Sequence, residues 1–169
     1  MLKRPGGTVD RMHPRAEEFK RRAAAEYGID IEVHEFPEGT KTAADAADAV
    51  GCSVEEIASG IALSAGGDLV VSVTSGANRV GTDKIATLVG VDPDEVSMAD
   101  ADDIKATLGW SIGGVPPFCH ETAVPVFMDE TLTEFDEVWA AAGTPEAVFP
   151  IDPETLADLA DATVADVRE

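Results

Sequence analysis

The chain has 169 residues and a mass of 17.6 kDa, and its 33 Asp and Glu against 12 Lys and Arg give a formal charge of −21. Hydrophobic residues make up 44% and the mean hydropathy is −0.01, which is too apolar for a disordered acidic tail. No apolar run approaches the ~20 residues of a membrane span, and no signal peptide or collagen pattern is present, so we expect one folded, cytoplasmic domain.

The charge is distributed unevenly along the chain. The first 22 residues carry +4 and the remainder carries −25. We therefore predict a flexible basic arm over residues 1–12 and a folded domain over 13–169. The acidic body is expected to repel DNA, whereas the basic arm is expected to attract nucleic acid. The composition favours adaptation of the surface to high salt over a cation-binding or DNA-mimic surface, because molar salt shortens the Debye length to about 3 Å.

Apolar spacing and capping residues predict the first elements. Residues 13–27 have helical periodicity and end at a glycine, and residues 29–36 alternate as a half-buried strand does. A helix is expected over 42–50, with a threonine as its N-cap. Ser53 and Glu56 have the spacing of a capping box and predict another short helix.

The middle of the chain contains a hairpin signal. Gly66, Gly67 and Asp68 predict a tight turn between strands over 61–65 and 69–74, because glycine accepts the positive φ that such turns require. Helices are expected over 80–89 and 100–108. The glycine- and proline-rich segment from 109 to 120 is predicted to be a loop.

Strands and helices also alternate in the last third. Strands are predicted over 124–128, 137–141, 147–151 and 164–167, and a helix with proline in its first turn over 152–160. The mixture of hairpins and interspersed helices favours a single α+β domain. Its sheet is expected to be mixed or mostly antiparallel and barrel-like, with helices around it.

The cysteines and histidines do not form a metal-binding pattern. Cys52 and Cys119 lie far apart and lack Cys-x-x-Cys spacing, so no metal and no cofactor are expected. Cys119 and His120 are adjacent and have two interpretations. They are either a nucleophile beside its base, or a small buried thiol next to a surface histidine.

The segment from Ile112 to Phe118 combines two glycines, two prolines and a phenylalanine, which suits the display of backbone amides to a ligand. Together with its surroundings, this segment resembles the YbaK/ProX family of aminoacyl-tRNA editing domains. The resemblance extends from about Tyr27 to the C-terminus. Its matching features, in family order, are Gly39-Thr40, Thr42-Ala43, Gly51, Gly66-Gly67, Gly113-Gly114-Val115-Pro116-Pro117-Phe118, Pro125-Val126-Phe127-Met128-Asp129 with Leu132, Ala142-Gly143-Thr144-Pro145 and Asp152-Pro153-Glu154-Thr155-Leu156.

The resemblance implies hydrolysis of the ester between a wrong amino acid and the terminal adenosine of tRNA, without a metal. The partner would be the 3′ end of aminoacyl-tRNA, with an aminoacyl-tRNA synthetase as a second candidate partner. By the resemblance, the residues that line the pocket and supply its backbone amides would be Gly114, Val115 and Gly143. Thr42 would lie at the edge of the pocket and Lys41 near its mouth. Gly113, Pro116 and Phe118 would belong to the loop that binds the substrate. Trp110 is the preferred residue for stacking on the terminal adenine, whereas the strand pattern around Trp139 favours a core position.

One residue departs from the family pattern. Members carry a functional lysine on the strand after the short helix, and Ser59 occupies that position here. A serine hydroxyl can form hydrogen bonds but supplies no positive charge to an oxyanion. The sequence therefore leaves two functions open. One is a trans-editing deacylase in which Ser59 takes part, and the other is a non-catalytic module that binds aminoacyl-tRNA or an aminoacyl-nucleotide.

Overall fold

The computed structural model describes residues 13–36 and 42–169. In this part of the chain, five α-helices surround an eight-stranded mixed sheet. The helices are α1 (Pro14–Tyr27), α2 (Ala43–Val50), α3 (Thr82–Val89), α4 (Ala101–Leu108) and α5 (Pro153–Ala160). The strands are β1 (His34–Glu35), β2 (Ile57–Ala65), β3 (Asp68–Ser75), β4 (Val96–Met98), β5 (Val126–Asp129), β6 (Val138–Ala141), β7 (Ala147–Ile151) and β8 (Thr163–Ala165). The arm over 1–12 and Lys41 lie outside the described residues.

The sheet is an open path in the order β1-β7-β6-β2-β3-β5-β8, and β4 pairs with the free part of β2. The α+β class and the mixed sheet are confirmed. The sheet does not close into a barrel, since among the described residues no pairing joins β1 to β8. β2 and β3 form its centre, an antiparallel hairpin paired from Ala58 and Ser75 to Ala65 and Asp68.

Local sequence signals account for several element ends. The Thr42 hydroxyl accepts a hydrogen bond from the Asp45 amide at 3.1 Å, as expected for the N-cap of α2. The Ser53 amide donates to the Glu56 carboxylate at 3.0 Å, and this predicted capping box opens a 3₁₀ turn immediately before β2. The turn at Gly66-Gly67 has positive φ at both glycines. These features fix where α2 begins and where β2 begins and ends.

One predicted strand is shorter in the structure than expected, and another strand was not predicted. The alternating segment from 29 to 36 forms a strand only at His34–Glu35, where it pairs with β7. Ile31 is nevertheless buried in the main core, so its apolar side chain packs without a β-ladder. The short strand β4 and the 3₁₀ turns at Pro93–Glu95 and Glu130–Glu134 were not predicted, because none has the length that gives a periodic signal.

The main core lies between one face of the sheet and α1, α4 and α5. Aromatic rings of Phe19, Trp110, Phe118 and Phe149 meet there, with centroids 5.2 to 6.1 Å apart. A second cluster packs α3 against the far end of β2, and a third packs α2 against Ile57. These layers hold β2 rigidly from both faces, and the candidate site lies on its edge.

Candidate functional site

A cavity of about 360 Å³ opens along the edge of β2. Its walls come from β2, β6, β7, α2 and the segments around Met98 and Ile112. The lining residues are Thr42, Ala43, Ala46, Ile57, Ala58, Ser59, Gly60, Ile61, Ala62, Met98, Ala99, Ile104, Ile112, Gly113, Val115, Trp139, Ala141, Pro145, Ala147 and Val148. None of these side chains is acidic, basic, histidine or cysteine. In a chain with 33 carboxylates, this described lining is therefore uncharged and made largely of small apolar residues.

The cavity exists because the edge of β2 changes neighbours. β6 pairs with it in parallel at Ile57 and Ala58, and β4 pairs antiparallel from Leu63 onward. Between them, Gly60 has no strand partner on this edge among the described residues. The Ile57 carbonyl accepts from Gly76 on the β3 side and the Ala62 carbonyl accepts from Ala99 on the opposite side. Because backbone groups alternate between the two edges, the N–H and C=O of Gly60 point into the gap.

The loop after Trp110 covers one face of this gap. The carbonyl oxygen of Val115 lies 2.7 Å from where a Cβ on Gly60 would stand, so only glycine allows the loop to approach β2 this closely. A Cβ on Gly114 would lie 2.6 Å from Cα of Thr144, so the two loops also touch. The Gly114 amide donates to the Ser111 carbonyl at 3.0 Å and is already used within the turn.

The structure brings together four of the residues selected from the sequence. Thr42, Ser59, Gly113 and Val115 all line the cavity. The Thr42 hydroxyl is occupied by its helix cap, whereas the Ser59 hydroxyl has no hydrogen-bond partner among the described residues. No base among the described lining residues lies beside Ser59, so this part of the chain lets its hydroxyl donate or accept hydrogen bonds but supplies no group that would activate it as a nucleophile.

The other selected residues lie behind the cavity wall. Pro116 and Phe118 are buried, and Phe118 packs on Phe19 with ring centroids 5.4 Å apart. Gly143 is packed against α1, where a Cβ would lie 2.8 Å from the Arg15 carbonyl oxygen and 2.9 Å from the Trp110 ring. These residues, with Gly114, position the loops and do not line the cavity.

The structure places Trp110 in the core and Trp139 at the cavity, which is the reverse of what the sequence indicated. Trp110 is 0% exposed, its indole N–H donates to the Cys119 carbonyl at 2.9 Å, and the Arg15 guanidinium covers its ring at 4.3 Å. It therefore has no face to offer a base. Trp139 is half-buried, lines the cavity and meets the His34 ring edge-on with centroids 5.1 Å apart. The alternating pattern of β6 did not reveal that the adjoining sheet edge is open.

Cys119 and His120 do not form a nucleophilic pair at the cavity. Burial raises the pKa of the Cys119 thiol to about 12, and the side chain is 1% exposed. Burial also lowers the pKa of His120, whose ring lies 2.8 Å from the Pro116 carbonyl oxygen. Neither residue lines the cavity. The interpretation of a small buried thiol fits Cys119, but the histidine beside it is half-buried and does not lie on the surface.

Two other kinds of site are absent from the described ranges. No group of three or more His, Cys, Asp or Glu side chains is placed to hold a metal ion. No helix there combines the length and apolar character needed to cross a bilayer.

Comparison with known proteins assigns the fold to a family. The profile of the aminoacyl-tRNA editing domain matches residues 37–159. A crystal structure described as that of a "putative trans-editing enzyme for prolyl tRNA synthetase" superposes with a TM-score of 0.87 at 35% identity, covering 94% of this chain and 99% of that one. A structure from work on epitope backbone grafting onto scaffold proteins gives 0.86 and 36% with the same coverage.

A curated relative is more distant. The uncharacterized protein YwhH of Bacillus subtilis (strain 168) is 26% identical over 129 residues, which are 76% of this chain and 80% of YwhH. The family match and the structural similarity agree with the resemblance to YbaK/ProX proteins, which is thereby confirmed. The chain belongs to the aminoacyl-tRNA editing domain family.

Proposed function

We propose that this protein is a trans-editing deacylase that hydrolyses the ester of mischarged aminoacyl-tRNA in the cytoplasm. The observation that carries the proposal is the uncharged cavity beside the open edge of β2, in a member of an editing family. Water adds to the ester carbonyl, the bond to the ribose oxygen breaks, and the products are free amino acid and tRNA. The substrate is the aminoacylated 3′ end, and a synthetase that produces the error is the proposed partner.

The described residues suggest how the ester is held. The Gly60 N–H points into the gap and, with the Val115 N–H, is the proposed donor to the ester carbonyl. The Gly60 carbonyl would accept from the substrate ammonium group, and the Ser59 hydroxyl would supply a further hydrogen bond. Fixed backbone donors stabilise a developing oxyanion without reorganisation, and loss of one such donor costs about 10²- to 10³-fold in rate. Orientation of the ester and water supplies the rest.

The small apolar lining also bears on which errors are accepted. Seven of the lining residues are alanines, so the cavity walls lie close to the backbone on several sides. An uncharged wall offers no counterion to an acidic or basic side chain, and burial of an unpaired charge is unfavourable. We therefore expect esters of small uncharged amino acids to be hydrolysed before esters of charged ones. Such selectivity would remove errors between small side chains, which the binding pocket of a synthetase distinguishes poorly.

The test is release of free amino acid from a panel of mischarged tRNAs in buffer containing molar KCl. Wild-type protein should accelerate release from tRNAs carrying small uncharged residues, and Ser59→Ala should reduce the rate by about tenfold or more. Ser64→Ala is the matched control, because Ser64 lies on the same strand but outside the cavity. No acceleration with any tRNA would contradict the proposal.

A second candidate function is a binding module without hydrolysis, and Ser59 at the position of the family lysine favours it. A lysine there would place a positive charge about 4 Å from an oxyanion, an interaction of ~4 kcal/mol at an effective dielectric constant of 20 before desolvation. Under this alternative Ser59→Lys restores hydrolysis, whereas the control Ser64→Lys does not. If wild type is inactive and Ser59→Lys is inactive too, the alternative loses its main support.

A further inference from the structure

Two exposed hydrophobic side chains stand at the mouth of the cavity. Among the described residues, five large hydrophobic side chains are exposed, namely Tyr27, Leu88, Met98, Ile112 and Val164. Met98 and Ile112 are the most exposed, at 60% and 56%, and both line the cavity, whereas the other three do not. Side chains that line a cavity and still have more than half of their surface in solvent must lie at its opening. Together they form an apolar rim.

Met98 lies at one end of the cavity and Trp139 at the other. Met98 pairs with Leu63 and Trp139 with Ile57, six residues apart on β2, which corresponds to about 20 Å along the strand. Ile112 precedes Gly113, where an added Cβ would lie 3.4 Å from Cγ of Pro145. Trp139 is half-buried against His34. The rim, rather than the tryptophan, therefore presents the accessible apolar surface.

We propose that Met98 and Ile112 contact the terminal nucleobase of the bound aminoacyl-tRNA. This inference rests on the proposed function, since it places the aminoacyl group in the cavity. The ribose then occupies the mouth and the base lies just outside, against the rim. A base released from its stack is commonly held between apolar or aromatic side chains.

The charges around the rim favour the base over a phosphate as the group in contact. Asp100 caps α4 two residues after Met98, and Asp102 and Asp103 follow in its first turn. These exposed carboxylates repel a phosphate but have no strong interaction with a neutral base. No Lys or Arg among the described residues lines the cavity. The sugar–phosphate chain is therefore directed away from α4, while Met98 and Ile112 offer the base an apolar contact.

The experiment compares two stable ligands in which an amide replaces the ester. One is 3′-alanylamino-3′-deoxyadenosine, and the other is the corresponding methyl riboside, which lacks the base. Calorimetry in molar KCl gives a Kd for each with the wild type, Met98→Ala, Ile112→Ala and the double variant. Leu88→Ala and Val164→Ala are the controls, because they truncate exposed side chains away from the cavity.

The wild type should bind the adenosine ligand at least about tenfold more tightly than the riboside, as expected for contacts to one base. The double variant should bring this ratio close to one without changing affinity for the riboside, and the controls should retain the ratio. A ratio preserved in the double variant, or an equal loss for both ligands, would overturn the inference. The Kd ratio is measured without hydrolysis. An inactive wild type would therefore contradict the deacylase proposal without affecting the test of the base contact.

Discussion

Substitution of Asp129 tests how the central hairpin beside the cavity is held in place. This residue is 0% exposed and lies at the end of β5. One carboxylate oxygen accepts from the Ser75 amide at 3.1 Å and from the Asn78 side chain at 2.9 Å, and the other accepts from the Thr131 amide at 2.9 Å. Ser75 is the cross-strand partner of Ala58, which lines the cavity. Asp129 therefore fixes the end of the central hairpin.

Asp129→Asn keeps the shape of this side chain but replaces one acceptor oxygen with a donor. In its better orientation the amide still serves Ser75 and Asn78, and its NH₂ group then faces the Thr131 N–H. An N–H left without its acceptor in this site costs about 1–3 kcal/mol. For a chain of this size, a loss of about 2 kcal/mol corresponds to a decrease in Tm of roughly 4–8 °C.

Urea unfolding in molar KCl, followed by circular dichroism, measures this loss. The matched control is Asp152→Asn at the exposed N-cap of α5, where the carboxylate accepts from the amides of Glu154 and Thr155. Asn caps helices about as well as Asp, and salt screens the interaction with the helix dipole, so the control should change by less than about 0.5 kcal/mol. Equal effects of the two substitutions would refute the reasoning.

Three further predictions concern the loop, the thiols and salt. Gly114→Ala should lower the free energy of unfolding by about 1–3 kcal/mol, measured in urea, because its Cβ would overlap the Thr144 backbone; an unchanged midpoint would contradict this. At about pH 8 a thiol reagent should titrate only Cys52 in the folded protein, since burial raises the pKa of Cys119 to about 12 and leaves about 10⁻⁴ of it as thiolate; modification of both thiols would show that Cys119 is accessible. The KM for aminoacyl-tRNA should fall as KCl rises from about 0.1 M to about 1 M, because screening weakens repulsion by the acidic surface; a rising KM would indicate ordinary attraction between the protein and phosphates.

Much of the fold could be predicted because local signals coincided with tertiary structure. The Gly66-Gly67 turn, the Thr42 cap and the capping box at Ser53 each specify an element end by their own hydrogen bonds or backbone angles. The segment over 29–36 shows the limit of this reasoning. Alternation reports which side chains are buried, but a strand also requires a neighbour, and β7 pairs only with His34 and Glu35.

The site was predictable in part for a similar reason. A motif identified the loop around Val115, and the family resemblance placed Ser59 on the strand after the short helix. Both residues line the cavity. Gly60 carried no signal, because its importance comes from an open edge of β2, where no described strand pairs with it, and from the approach of the Val115 carbonyl. Met98 was missed and Ile112 was named only as the start of the loop motif, since an exposed hydrophobic residue in a short strand or loop has no distinctive pattern. The open edge of β2 and the exposure of Met98 and Ile112 both depend on contacts between residues that are distant in the sequence.

The high negative charge has its main effect on the approach to the site. Several cations of the described residues are already neutralised within the molecule, in the pairs Arg15–Glu18, Lys20–Asp30, Arg22–Glu26, Lys84–Asp166 and Arg168–Asp166. Such exposed pairs contribute little to stability, and they occupy five of the twelve Lys and Arg of the chain. The described lining of the cavity is uncharged. Under the proposed function, affinity for an anionic tRNA comes chiefly from contacts with the amino acid, the ribose and the terminal base, while the surrounding salt screens the phosphates.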